Sequence, residues 1–241
     1  MKTILLLAKR ELEYYINTIW GYLVLGIVLL IDGILFNAFA LTSTPRLSSD
    51  VLEDFFYFAS GTTMVAGILL AMRLFAEERQ TGTLILLESS PISDSQIVLG
   101  KFLGSIGFLS IITLLSIYMP ILIQVNGKVS WGQIGAGYLG LFGLGSVTIA
   151  LGIFGSTLAK SQLFSAITGV CLLVLMLLGW LLGKVSSPPL DEIFSYIALF
   201  DRHFQPFMQG RINTESLIFF FSITCVLLVL ATRIQQIRRQ A

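Results

Sequence analysis

Six long apolar runs constrain this chain more than any other feature of its sequence. They cover residues 20–41, 55–72, 102–125, 134–159, 163–183 and 217–232. A helix needs about 20 apolar residues to cross the roughly 30 Å hydrocarbon core of a bilayer. The runs are continuous rather than alternating, which argues against a transmembrane barrel. The sequence therefore predicts an all-α membrane protein with six transmembrane helices, forming one transmembrane domain over residues 1–241.

The composition argues against the other broad classes of protein. Only 12% of the residues are charged and 55% are hydrophobic, whereas soluble domains carry about 25% charged residues. The net charge of +1 gives no basic surface for nucleic acid, so no nucleic-acid partner is expected. Both cysteines lie inside apolar runs and offer neither a disulfide framework nor a metal-ligand spacing. Neither a metal nor a cofactor is expected.

The basic residues predict the orientation of the chain in the membrane. Lysine and arginine are retained on the cytoplasmic side. An inside N-terminus leaves ten of the 15 basic residues inside and five outside. An even number of spans then puts the C-terminus inside as well. Both termini are therefore expected in the cytoplasm.

The first 18 residues precede the first apolar run and form an amphipathic pattern. Leu5, Leu12 and Ile16 share one helical face, and the charged cluster Lys9–Glu13, which includes Arg10 and Glu11, interrupts the apolar character. The short apolar run 4–8 does not fit a signal peptide. The pattern predicts a helix that lies in the inner membrane interface. The alternative is an extension of the first span.

The inner loop between the second and third spans is unusually apolar. Gly82 is expected to end the helix that leaves the membrane, and Pro91 to halt the short turn of helix that follows. Ser93 and Gln96 form the S-x-x-Q pattern of a capping box. The four apolar residues 84–87, including Leu84 and Leu87, need a partner surface. The flanking charged residues that would surround such a contact are Glu77, Glu78, Arg79 and Glu88.

Two partner surfaces fit this loop equally well from physical chemistry alone. One is a groove on another protein, and the other is the lipid headgroup layer, on which a short interfacial helix would rest.

The outer segment 184–215 is too long and too aromatic for a simple connection. It contains five rings, and proline or glycine breaks it into pieces. So many aromatic rings in one segment are expected to be buried away from water. The segment is predicted to form a re-entrant pair of short helices, and the alternative is a cap packed on the bundle.

Catalytic motifs are missing from the sequence. There is no Walker A motif, no H-E-x-x-H and no G-x-S-x-G. The chain is therefore not expected to be an enzyme. The run 135–140 matches G-x-G-x-x-G but opens a membrane span, so its glycines are expected to allow close helix contact, as are Gly100 and Gly104. Asp32 is an acidic residue deep in the first span. It is either a polar functional site or a carboxylate bonded to a neighbouring helix.

The inner loop is similar to that of ABC-2 type ABC-transporter permeases. The matching residues are 77–84, Leu87, the run 90–92 and 100–101. The opening 10–15, the stretch 199–204 and the basic end of the chain fit as well. Within these permeases, the chain most resembles the group associated with gliding motility and nitrous-oxide reductase maturation.

The resemblance implies a half-transporter in the inner (plasma) membrane. Two six-span permeases, identical or different, would bind two cytosolic ATPase subunits that hold ATP and magnesium. Residues 1–18 would be the interface helix and 83–90 the coupling helix. Residue 85, an isoleucine here, departs from the acidic residue common in the group. The implied activity is export along the permease dimer interface, in contact with membrane lipid.

Two other classes compete with an ATP-driven exporter. A secondary transporter or channel should carry several buried ionisable groups, and only Asp32 is available. A membrane scaffold would bind the ATPase without substrate-dependent turnover.

Overall fold

A computed structural model describes residues 2–40, 47–84, 92–188 and 190–240. Within these ranges the chain is helical and contains no strand, which confirms the all-α class. The helices are α1 (Lys2–Asn17), α2 (Ile19–Leu35), α3 (Ser48–Ala71), α4 (Ala76–Thr81), α5 (Asp94–Leu115), α6 (Tyr118–Asn126), α7 (Trp131–Leu158), α8 (Gln162–Leu177), α9 (Gly179–Val185), α10 (Leu190–Ile197), α11 (Gln205–Met208) and α12 (Thr214–Gln240). The turns Phe36–Ala40 and Leu199–Phe204 are π-helical.

Five described helices are long and apolar enough to cross a membrane, and a bent pair makes up to six. The five are Ile19–Ala38, Ser48–Thr81, Asp94–Val125, Trp131–Leu158 and Thr214–Arg239. The pair joins α8 and α9, which meet at an angle of 47°. In the most apolar stretch of α3 and of α7, 72% of the residues are buried, against 28% in α2 and α12. The bundle is therefore built around α3 and α7.

Glycines in α7 allow its neighbours to approach closely, as predicted for part of the run 135–140. A Cβ at Gly137 would lie 2.2 Å from the ring of Phe56, and one at Gly140 would lie 2.7 Å from Cβ of Phe207. Gly135 has nothing within 4 Å and does not take part. Without these Cβ atoms, bulky side chains fit directly against the α7 backbone.

The third span is interrupted near Pro120. Proline lacks the N–H that would bond to the carbonyl of Ser116. The amide of Met119 donates to that carbonyl instead, at 3.1 Å. The regular helix is consequently interrupted between α5 and α6.

The two ends of the bundle differ in character. We call the end that carries α1, α4 and the end of α12 the termini face, and the opposite end the distal face. On the termini face, Arg239 pairs with Asp94 at 3.2 Å. On the distal face, the amide of Gln133 donates to the carbonyls of Ser49 and Met208. Hydrogen bonds between distant segments therefore stabilise both ends.

The distal segment 184–215 folds back on the bundle. The helices α9 and α10 lie close together, since a Cβ at Gly179 would be 2.8 Å from the carbonyl oxygen of Phe194. The rings of Phe204 and Phe207 are fully buried. Of the other three rings in this segment, Phe194 and Phe200 are half-buried and Tyr196 is exposed, so the predicted burial holds for two of the five. A re-entrant depth for α9 and α10 stays a prediction.

Candidate functional site

The amphipathic helix α1 packs tightly on α5 at the termini face. A Cβ at Gly100 would lie 2.5 Å from Cβ of Leu7, and one at Gly104 would lie 2.6 Å from Cβ of Glu11. The close helix contact predicted from this G-x-x-x-G pair is therefore present, and it is made with α1. The contact brings the charged residues of α1 against the start of α5.

Four charged side chains meet where α1, α4 and α5 converge. We call Arg10, Glu11, Glu78 and Lys101 the charge cluster. The ammonium of Lys101 lies 2.7 Å from Glu78 Oε1 and 3.3 Å from Glu11 Oε1. The guanidinium of Arg10 lies 2.7 Å from the same Glu11 oxygen and 3.2 Å from Glu78. Two cations and two carboxylates thus neutralise one another.

Burial makes the pairing in the charge cluster important. Lys101 is 1% exposed and Glu11 is 7% exposed. Burial by itself would raise the pKa of Glu11, but the charges and hydrogen bonds of Lys101 and Arg10 outweigh it and lower that pKa. Glu11 therefore stays ionised in the folded protein. A buried charge of this kind is costly without its partners.

Tyr15 joins α1 to α3 beside the charge cluster. Its hydroxyl donates to the carbonyl of Leu70 at 2.9 Å and lies 3.2 Å from the hydroxyl of Ser105. Burial raises the pKa of Tyr15, so the phenol remains a neutral donor. The guanidinium of Arg73 lies 3.9 Å from the ring centroid of Tyr14, where it makes a cation–π contact.

The segment between α3 and α4 is held by the end of α7. The hydroxyl of Ser156 accepts from the amides of Phe75 and Ala76 and donates to the carbonyl of Met72, each at 3.0 Å. Arg79 donates to the carbonyl of Ala159 at 2.5 Å. The last carbonyl groups of a helix have no amide within the helix to bond to, and at the end of α7 the guanidinium of Arg79 supplies a donor.

The predicted coupling residues divide into three groups. Glu78 is in the charge cluster, Glu77 pairs with Arg73 at 3.0 Å, and Arg79 binds α7. Gly82 ends α4 with a φ of 74°, as predicted, and Thr83 is exposed beside it. Leu84 is 5% exposed and packs in the core of the chain itself. The remaining predicted coupling residues lie outside the described part of the chain and are Leu87, Glu88 and Pro91.

The charges of α1 and the predicted capping box are also accounted for. Lys9 is exposed and lies 3.6 Å from Glu13, outside the charge cluster. The capping box of Ser93 and Gln96 is present at the start of α5. Sequence reasoning missed the roles of Lys101, Tyr15 and Ser156. The available signal was Lys101, a charge directly beside Gly100 in an apolar helix.

Asp32 lies in the bundle against α3. It is 6% exposed, and its Oδ1 accepts a hydrogen bond from the hydroxyl of Thr62 at 2.7 Å. The carboxylate is thus bonded to a neighbouring helix, as one of the two sequence interpretations expected. Among the residues that the structure describes, no group of three or more His, Cys, Asp or Glu side chains is positioned to hold a metal ion.

His203 is buried on the distal face and stacks on Phe219, with ring centroids 3.7 Å apart. Its Nε2 donates to the carbonyl of Tyr196 at 2.8 Å, and its Nδ1 lies 3.4 Å from the hydroxyl of Ser216. Burial lowers the pKa of His203 from its ordinary value of 6.5. The neutral imidazole is therefore the protonation state that the folded protein favours.

Acidification is expected to destabilise the protein through His203. The unfolded chain takes up a proton near pH 6.5, before the folded chain does, so stability falls as the pH drops below that value. Thermal unfolding of the solubilised protein should shift downward by a few degrees between about pH 8 and pH 5. The variant His203→Phe keeps the ring stack and should flatten this dependence. An equally steep dependence in that variant would contradict the assignment.

Comparison with known proteins supports the resemblance of the inner loop. A family model described as "ABC-2 family transporter protein" matches residues 35–234. No curated protein matches the chain. The family match begins at the last residue of α2 and covers α3 to α11 and all but the end of α12, and it agrees with several helices that can cross a membrane. The chain therefore belongs to the ABC-2 family of transporter proteins and is a multi-pass membrane protein.

Proposed function

We propose that this chain is the membrane subunit of an ATP-driven exporter, and that separate ATPase subunits bind its termini face. The observation that carries this proposal is the charge cluster. It joins α1, α4 and α5 through buried ion pairs at the termini face, where the described residues Thr83 and Leu84 follow α4 at the start of the predicted coupling segment. Since the chain has no nucleotide-binding motif, a separate ATPase would have to drive it, and that ATPase would need a rigid part of the permease to bind.

The proposed mechanism moves the termini face as a unit. ATP and magnesium, held by the partner ATPase, close the ATPase dimer. That closure would push on residues 83–91, and the charge cluster would pass the motion to α1 and α5 because its ion pairs resist separation. Tilting of α3 and α5 would then open one side of the membrane or the other. The ATPase must bind the two states unequally for this to work.

The proposal also covers the orientation of the chain, its membrane and its partner subunit. The termini face is cytoplasmic and the membrane is the inner (plasma) membrane, in keeping with the distribution of lysine and arginine. Two permease subunits, identical or different, would enclose the substrate path. The group associated with gliding motility and nitrous-oxide reductase maturation is proposed as the nearest within the family. The chain itself carries out no catalysis and binds no cofactor.

A substitution in the coupling segment tests the docking of the ATPase. Leu84 is unsuitable because it is buried in the chain's own core. Leu87→Asp should lower the amount of co-purified ATPase about tenfold, because a carboxylate cannot enter an apolar groove without a partner. The measurement is the ratio of ATPase to permease after affinity purification of the co-expressed complex.

The matched control for Leu87→Asp is Ile237→Asp. Ile237 is an exposed apolar residue near the end of α12 on the same face. The control should leave the ratio unchanged. Full ATPase capture by the Leu87→Asp variant would rule out docking through this segment, and transport without any bound ATPase would favour a secondary transporter.

A further inference from the structure

A groove of about 680 Å³ runs between α2 and α3 toward the distal face. We call it the α2–α3 groove. Its walls are formed by apolar side chains, among them Val28 and Ile31 of α2 and Met64 and Val65 of α3. Its volume is in the range of pockets that enclose small organic ligands. An occupant must therefore be largely apolar.

The distal end of the groove carries a negative charge. Asp201 is the only charged residue among the described residues that line it. Asp201 is exposed, and within the described part of the chain it forms no ion pair. Its neighbour Arg202 is already paired with Glu215 at 3.0 Å. The carboxylate of Asp201 is therefore available to a ligand.

The adjoining cavity does not reverse this charge. It shares Trp180 and Asp201 with the groove, and it also contains Asp191 and Glu192. The cations there are Arg202 and Lys184, and the ammonium of Lys184 lies 4.6 Å from the ring centroid of Trp180. Since Arg202 has its own partner, acidic groups outnumber the available basic ones at this end.

Aromatic rings accompany the carboxylate. Tyr57, Trp180 and Phe200 line the same end. Lys184 already lies over the ring of Trp180, whereas the rings of Tyr57 and Phe200 meet edge to face at 5.5 Å. Aromatic faces attract organic cations, most strongly where water is partly excluded. A neutral lipid tail needs neither the carboxylate nor these rings, and an anion would be repelled by Asp201.

We infer that the α2–α3 groove binds an amphiphilic organic cation, with its apolar part between α2 and α3 and its positive charge beside Asp201. The inference rests on the proposed function in naming this cation as the class of transported substrate. Thr62 lines the middle of the groove, and its hydroxyl is bonded to Asp32.

Binding to the permease alone tests the inference. The full-length chain is placed in phosphatidylcholine nanodiscs, and binding of tetraphenylphosphonium is compared with that of uncharged triphenylphosphine oxide, with empty discs as the blank. The cation should bind more tightly. Asp201→Asn should weaken cation binding about three- to tenfold and leave the neutral compound unaffected, as expected for loss of one partly solvated charge interaction.

Two glycines provide matched tests of the location. A Cβ at Gly61, which lines the groove, meets nothing within 4 Å, and neither does one at Gly26, which does not line it. Gly61→Leu should therefore fill the groove without disturbing the packing and weaken both compounds about tenfold. Gly26→Leu should have no effect. Asp50→Asn, at an exposed acidic residue of α3 outside the groove, is the charge control and should also have no effect.

The outcomes separate this inference from the proposed function. Equal affinity for the two compounds, or unchanged cation binding in Asp201→Asn, overturns the inference and favours a lipid tail or a second permease as the occupant. Failure of Gly61→Leu to reduce binding overturns it as well. Capture of the ATPase is measured separately. If cation binding is selective but the ATPase is not captured, the groove assignment stands and the exporter proposal fails.

Discussion

Lys101→Met is expected to lower the free energy of unfolding by about 3–5 kcal/mol, the cost of removing one partner from a buried ion pair. Lys101 is 1% exposed and lies within hydrogen-bonding distance of Glu11 and Glu78. Methionine fills similar space but leaves the charge cluster with one excess negative charge, next to the buried Glu11. Thermal or denaturant unfolding of the purified protein measures the loss.

A second substitution distinguishes charge from packing in this experiment. Adding Glu78→Gln to Lys101→Met restores neutrality and should recover a large part of the lost stability, since the effects of residues in one network are not additive. The control Lys9→Met removes an exposed charge whose partner in the described part of the chain is Glu13, and should change stability by less than about 0.5 kcal/mol. A fully additive double variant would show that the excess charge is not the cause.

Gly104→Ala is expected to displace α1 from α5 and to destabilise the protein by about 1–3 kcal/mol, the usual cost of overpacking. The added Cβ would lie 2.6 Å from Cβ of Glu11 and 2.8 Å from the carbonyl oxygen of Ala8. The second of these is a backbone atom, so no rotamer change can relieve the clash. Because Glu11 is at this contact, the charge cluster should also be weakened, and ATPase-coupled transport should fall with stability.

Gly107→Ala is the matched control, on the same helix and toward the same partner. Its Cβ would meet only Cδ1 of Leu12, at an ordinary contact distance of 3.7 Å. Alanine also favours a helix over glycine by about 1 kcal/mol. This variant should be neutral or slightly stabilising. If the two variants behave alike, helix propensity rather than the close approach of α1 determines the result.

The helices were largely predictable because each reflects a local pattern. Length and apolarity identify the spans, and Gly82 and the pair of Ser93 and Gln96 mark helix ends through local hydrogen bonds and φ angles. Their boundaries were less predictable. The helix that contains the second predicted span begins at Ser48, seven residues before the apolar run, because a polar first turn can be helical without being apolar.

Leu84 illustrates where sequence reasoning reaches its limit. An apolar residue in a predicted loop needs a partner surface, but the sequence does not say whose surface it is. The structure buries Leu84 against the chain's own helices. Contacts between residues far apart in sequence depend on how helices pack, and hydrophobic pattern alone does not fix that packing.

The sequence by itself determined that this chain has several helices able to span a membrane and an amphipathic first helix, and that it belongs to the ABC-2 family. The tertiary structure alone decided that Arg10, Glu11, Glu78 and Lys101 form one cluster and that α2 and α3 border a groove ending at Asp201. The physical reason is the separation along the sequence over which each feature is determined. Helix formation and apolar length are encoded within about 20 neighbouring residues, whereas a buried ion pair requires two helices to meet in one particular register.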